Sequence, residues 1–159
     1  MQGRTHNCGQ LRLENVGEEV KLVGWYENLR KVSKNLGFLI LRDFYGTTQI
    51  VAETEEQMEQ LSGINYESTI EIVGTVRERS SKNSKIPTGD IEVVPSKITV
   101  LGKCQYNELP FQINHSKDAD ENVRLKYRYL DLRNPDVKSR IILRSRIVAD
   151  LRAAMIGHD

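Results

Sequence analysis

Thr69-Ile70-Glu71-Ile72-Val73-Gly74-Thr75-Val76-Arg77-Glu78-Arg79 alternates apolar with polar residues, is rich in β-branched side chains and contains no proline. That is the period of a strand with one buried face. Ile70, Ile72 and Val76 share one parity and can fill an interior, while Arg77 and Arg79 share the other. Upstream, Glu55-Glu56-Gln57-Met58-Glu59-Gln60-Leu61 suits a short helix, with Thr54 as N-cap and Gln57 where a capping box wants it. Further upstream lie three strand-like runs, Val20–Glu27, Gly37–Arg42 and Thr47–Ala52, the last two joined by a tight turn around Tyr45-Gly46. Downstream, a fifth run opens at Ile91-Glu92-Val93-Val94 and resumes at Ile98-Thr99-Val100-Leu101. Pro95 between its halves marks a bulge or a break, because proline cannot donate to a ladder.

Three strands, a short helix, then two strands is the order of the five-stranded Greek-key OB-fold barrel. A β-sandwich usually needs about seven strands. The expected fold is therefore an all-β core with the short helix between strands three and four and a C-terminal helical extension. Residues 1–104 make the barrel with its polar lead-in. Residues 105–133 read as a linker with a short helix after Asp118-Ala119-Asp120, and residues 134–159 as the start of a further domain. There Asn134-Pro135 gives an N-cap followed by proline at the first helical position. Val137, Ile141, Ile147 or Val148, Leu151 and Met155 then recur at helical spacing. Little chain remains to cover that stripe, so the expectation is that the sequence is part of a longer protein.

The 159 residues suit one ordinary domain plus an appendage, with 38% hydrophobic and 28% charged residues and a net charge of +1. No apolar run is long enough for a membrane span. Residues 1–6 lack the apolar core of a secretory signal. Cys8 and Cys104 form neither a metal spacing nor a CxxC pair, and read as reduced thiols. No Walker loop, GxSxG or HExxH is present, and His6, His115 and His158 fall in three different zones. The residues thus carry no catalytic constellation and no metal set.

Nucleic-acid binding has more support. In the second strand, Phe38 and Ile40 lie on one face and Leu39 and Leu41 on the other. A small barrel has one interior, so one pair points out. An outward Phe38 would be a stacking platform for an unpaired base; an inward one would be ordinary core. Gln49 offers a donor and an acceptor and can read a base edge, although a polar surface accounts for it equally well. Two guanidiniums side by side at Arg77 and Arg79 suit phosphate or base edges, as they suit a solvated surface. Ser80–Asp90 is long, polar and basic, and in OB-folds this loop commonly grips oligonucleotides. Arg30, Lys31, Lys82 and Lys85 are expected on phosphates from their placement in strand-flanking loops.

Arg4-Thr5-His6-Asn7-Cys8-Gly9, Val23-Gly24-Trp25, Leu41-Arg42-Asp43, Pro87-Thr88-Gly89-Asp90-Ile91-Glu92 and Arg124-Leu125-Lys126-Tyr127-Arg128-Tyr129-Leu130-Asp131-Leu132-Arg133 occur in that order. Together they resemble the N-terminal anticodon-binding region of bacterial-type aspartyl-tRNA synthetases, class II enzymes, over nearly the whole chain. The resemblance implies that Phe38 stacks on the central uridine of the anticodon and that Gln49 reads it. It puts Arg77, Arg79, Asn83 and Glu92 on the third base, where a glutamate can accept from a cytosine amino group. The family's arginines for the first base correspond here only to Arg30, within Tyr26–Lys34. The last helix resembles the start of motif 1, which builds the family's dimer interface. The implied partner is tRNA-Asp, without a membrane, and the implied full-length enzyme is a homodimer joining aspartate to tRNA with ATP and Mg2+. This stretch, lacking the catalytic motifs, is expected to need no cofactor and to be inactive alone. A bacterial cytoplasm is the expected location, with a mitochondrial matrix as the alternative. The rival readings are a single-strand-binding barrel without anticodon preference and a protein-interaction module.

Overall fold

The computed structural model describes residues 3–158 and divides into two compact units between Glu108 and Leu109. Side-chain hydrogen bonds carry the first unit past residue 104. Asn65 Nδ2 donates to the Cys104 carbonyl at 2.8 Å, the Cys104 amide to Ser68 Oγ at 3.0 Å, and the Tyr66 amide to Asn107 Oδ1 at 3.1 Å.

The first unit contains β1 (Glu19–Lys31), β2 (Gly37–Arg42), β3 (Thr47–Ala52), α1 (Glu55–Ser62), β4 (Thr69–Glu78) and β5 (Ile91–Gly102). The strands run β1-β2-β3-β5-β4 around a closed barrel. β1 pairs antiparallel with both β2 and β4, β4 pairs antiparallel with β5, and β3 meets β5 in parallel at Ile50–Val93. Leu22, Leu39, Leu41, Ile50, Ile70, Ile72 and Ile91 are wholly buried in the interior. Each such side chain contributes about 1.5–3 kcal/mol. Met58 and Leu61 of α1 join the same cluster. Thr54 caps α1 by accepting from the Gln57 amide at 3.2 Å. The Gln57 side chain accepts from the Glu53 amide at 2.9 Å, just before the helix, and donates to the Pro95 carbonyl at 2.7 Å, tying the helix to β5.

Two strands carry extra residues. In β1, Tyr26 faces Leu41 and Asn28 faces Ile40, so Glu27 is the inserted residue of a bulge. Val20, Leu22 and Tyr26 point inward before it, and after it Leu29 packs on the core while Arg30 pairs with Phe38 outside. β1 continues through Lys31, so Arg30 and Lys31 sit on a strand and not in the loop expected there. In β5, Gly74 faces Pro95 and Val73 faces Lys97, which leaves Ser96 extra. Pro95 thus marks a bulge within one continuous strand. A Cβ on Gly74 would lie 2.3 Å from the Val94 carbonyl oxygen, so this close strand approach requires glycine.

The lead-in packs onto the barrel through Asp43. Its carboxylate accepts from the Cys8, Tyr45 and Gly46 amides at 2.9, 2.7 and 3.0 Å and from Arg4 Nη1 at 3.2 Å. Cys8 is buried beside that carboxylate, and burial, reinforced by the Asp43 charge, raises its thiol pKa well above the usual range. Cys8 and Cys104 are both free thiols.

The second unit holds a 3-10 segment (Ile113–Asp118), α2 (Glu121–Lys126), α3 (Arg128–Asp131) and α4 (Pro135–Ile156). Asp120 caps α2 by accepting from the Asn122 amide at 2.9 Å. Asn134 caps α4 by accepting from the Asp136 and Val137 amides, while its Nδ2 donates to the Ile113 carbonyl at 2.9 Å. Asp131 is fully buried. It accepts from Ser116 Oγ at 2.7 Å, from Arg124 Nε at 3.3 Å and from Arg128 Nη1. Burial alone would raise its pKa, but Ser116 and the two arginines outweigh that and hold the carboxyl below its ordinary value. Along α4, Val137 is buried, whereas Ile141, Ile147, Val148, Leu151 and Met155 are exposed. No helix among the described residues is long and apolar enough to cross a membrane.

Candidate nucleic-acid interface

The outer face of β2, β3, β5 and β4 collects most of the residues that the sequence singled out. Leu39 and Leu41 point into the barrel, which leaves Phe38 and Ile40 half-buried on the outside. Phe38 lies across from Val51, and Ile40 across from Gln49. Val51 is 1% exposed although it lies outside the core cluster. Phe38 also pairs with Arg30 of β1, whose guanidinium carbon stands 5.0 Å from the ring centre. One face of the ring therefore carries a cation, in the range of a cation–π contact.

Next along the sheet stands a polar chain of four side chains. Gln49 Nε2 donates to Glu92 Oε2 at 3.0 Å. Arg77, opposite Glu92 in the β4–β5 register, donates to Glu92 Oε1 through Nε at 3.1 Å and Nη2 at 2.7 Å. Arg77 Nη2 also reaches Glu53 Oε1 at 2.6 Å. These hydrogen bonds, to Glu53 first and to Glu92 next, raise the Arg77 pKa further above its already high value. The Glu92 side chain is 7% exposed and the Arg77 side chain 45% exposed. A buried carboxylate needs such a partner, since an unpaired one would be costly. A carboxylate has about four lone-pair sites. Arg77 occupies two on Oε1 and Gln49 one on Oε2, so one acceptor position remains on Oε2.

Arg79 and Asn83 stand apart from this chain. Arg79 follows the end of β4, where its amide donates to the Asp90 carbonyl at 2.9 Å. The Arg79 side chain has no ion pair among the described residues. Asn83 sits at a turn in the loop, exchanging backbone hydrogen bonds with Gly89 and Ile86 and accepting at Oδ1 from the Lys85 amide at 3.1 Å. A Cβ on Gly89 would fall 1.7 Å from the Asn83 carbonyl oxygen, so the turn closes only around glycine. Thr88 Oγ1 donates to the Thr47 carbonyl at 2.6 Å and fastens the loop to the start of β3. Among the basic residues, Lys82 pairs with Glu78 at 2.8 Å and both are well exposed.

Sequence reading missed Glu53, which it passed over as the residue before the helix cap. The signal was weak: a single acidic residue at the end of a strand. It also left open which face Phe38 takes; the burial of Leu39 and Leu41 settles that it is outward. Among the described residues no group of three His, Cys, Asp or Glu side chains could hold a metal ion.

Comparison with known proteins agrees with this fold. A family described as tRNA anticodon OB-fold nucleic acid binding domain matches residues 20–101. The aspartate–tRNA ligase of Bacteroides fragilis is 44% identical over 153 residues, which cover 94% of this chain and 26% of the relative. The aspartate–tRNA(Asp/Asn) ligase of Rickettsia prowazekii is 47% identical over 158 residues, covering 97% of this chain and 26% of the relative. The chain thus spans about a quarter of the length of these curated relatives. Among solved structures, an aspartyl tRNA synthetase from Entamoeba histolytica superposes with a TM-score of 0.82 at 21% identity, over 92% of this chain and 36% of that one, a likeness of fold alone. With its five strands in OB order and more than half its length matched, the chain belongs to the tRNA-anticodon family of OB-fold nucleic-acid-binding domains.

Proposed function

We propose that this chain is the anticodon-reading part of an aspartate–tRNA ligase, built as a Greek-key OB barrel with α1 between strands three and four and a helical extension. The observation that carries the reading is the outward row of Phe38, Gln49, Glu92 and Arg77 on one sheet face. RNA sequence is readable in single-stranded loops, where bases can be splayed and stacked, and not in paired A-form grooves. Phe38 stacks on the central uridine and Gln49 hydrogen-bonds to its edge. Arg77, Arg79, Asn83 and Glu92 meet the third base, and Glu92 retains one acceptor position for a cytosine amino group. Arg30 serves the first base from beside Phe38. Lys31, Lys82 and Lys85, with Arg30, take phosphates.

The wider protein, on this reading, is a homodimeric class II ligase that joins aspartate to tRNA-Asp in a bacterial cytoplasm. Its ATP and Mg2+ are assigned to no residue of this chain. The first unit, through Glu108, is the barrel domain, the segment from there to residue 133 the linker, and α4 opens the catalytic domain. The test is binding to an anticodon stem-loop bearing GUC and to one with the central U replaced, at two salt concentrations. A preference that survives higher salt supports base readout. Equal binding that fades with salt means phosphate attraction alone and leaves a barrel without anticodon preference.

A further inference from the structure

The side-chain amide of Gln49 is ambiguous in isolation, because its nitrogen and oxygen ends are nearly the same shape. Its neighbour removes the ambiguity. An ionised carboxylate only accepts, so the end of Gln49 that meets Glu92 Oε2 at 3.0 Å must be the NH2 group. Arg77 places two N–H groups on the other oxygen of Glu92, and Arg77 is itself held from the far side by Glu53 at 2.6 Å. Gln49 is 8% exposed and Glu92 5% exposed, so neither is free to swing. The Gln49 carbonyl oxygen has no partner among the described residues. The outer face of the sheet therefore presents an acceptor at this point.

We infer that Glu92 is a positioning residue for Gln49: through Arg77 and Glu53 it fixes the amide with its nitrogen inward and its carbonyl outward, and so sets the choice of the central base. This rests on the anticodon reading above. An outward carbonyl accepts from the ring N–H of uracil. It opposes cytosine and adenine, whose ring nitrogens on the same edge are bare acceptors. Central-base selection thereby depends on a carboxylate that the third base also meets, and the two positions are read through one hydrogen-bonded unit.

The test compares binding of GUC and GCC stem-loops to the wild-type chain, to Glu92→Gln, to Gln49→Met and to the double variant, with the Gln49 side-chain amide followed by 15N NMR. Glutamine at 92 can present either end, so Gln49 becomes free to flip and offer its NH2 group to cytosine. The wild-type chain should prefer GUC on the order of tenfold. In Glu92→Gln that ratio should fall to within about twofold, chiefly by gain of GCC binding, a change that general loosening of the fold would not produce. With methionine at 49, adding Glu92→Gln should change the central-base ratio no further. In the wild-type chain alone, one Gln49 amide proton should be shifted downfield and slow to exchange with water; free-amide behaviour overturns the inference even if the variants do not fold. A normal wild-type preference that Glu92→Gln leaves intact overturns the positioning role while the anticodon reading stands. A wild-type chain indifferent to the central base overturns both.

Discussion

Replacing Phe38 by alanine separates recognition from stability, because the ring lies outside the core cluster yet beside a cation. Stacking of a base on an aromatic ring contributes roughly 1–3 kcal/mol, equivalent to a loss of about 5- to 150-fold in Kd when it is removed. The Arg30 contact, worth about 0.5–1 kcal/mol at an exposed site, decides where in that range the loss falls. If the base takes the free face of the ring, Arg30 stays in place and its contribution cancels between free and bound states. If the base must displace Arg30, the net stacking gain shrinks by that amount. Measuring the Phe38→Ala loss with and without Arg30→Ala distinguishes the two, because the loss grows on the Arg30→Ala background only in the second case, whatever Arg30 itself gives to the first base and to phosphates. The fold should lose about 1 kcal/mol, well under the cost of emptying a true core position, since Phe38 is half-buried and its main burden is covering Val51. Fluorescence anisotropy with a labelled GUC stem-loop, paired with thermal denaturation, reads both quantities. An unchanged Kd for Phe38→Ala at a salt concentration that suppresses phosphate binding would refute the stacking argument.

Arg79→Ala should weaken stem-loop binding and relax the choice of third base, with little change in Tm because the side chain has no ion pair among the described residues; unchanged ratios across third-base variants would contradict this. Gly74→Ala forces a Cβ to 2.3 Å from the Val94 carbonyl oxygen and should lower stability by about 1–3 kcal/mol, measured by urea denaturation. Thr88→Val removes the bond to the Thr47 carbonyl and should speed amide exchange through residues 79–90 while leaving the barrel core protected. Asp131 has a depressed pKa, so its contribution is present above the unfolded-state value of about 4 and fades as the pH falls through the lower folded-state value. Asp131→Asn should therefore cost about 1–3 kcal/mol at neutral pH and flatten that acid dependence, as followed by helical circular dichroism.

The parity of strands and the caps of helices were legible in the residues. Ile70, Ile72 and Val76 point inward, Thr54 and Asn134 cap their helices, and Pro95 lies at a bulge. Local rules govern each of these, so local sequence suffices. The reach of β1 was not legible. Asn28–Lys31 looks like a charged loop because its inward residues are few, and its strand character comes from pairing with β2 across the molecule. Glu53 was invisible for the same reason. Its meeting with Arg77 joins residues far apart in sequence, brought together only when the barrel closes. The face taken by Phe38 needed one further fact, that Leu39 and Leu41 fill the interior.

The extra residue at Glu27 acts like a shift of reading frame written into a strand. Counted without interruption from Leu22 and Tyr26, position 30 belongs to the interior and position 29 to solvent. With the insertion, leucine and arginine exchange addresses, and the cation lands on the Phe38 ring. Deleting any single residue between 26 and 28 should therefore bury an arginine and strand a leucine, whereas a residue added to the loop at 32–36 would leave both where they are. Among descendants of this sequence, the tolerance for length change should drop abruptly at Lys31, a boundary set by side-chain alternation and not by the chemistry of RNA.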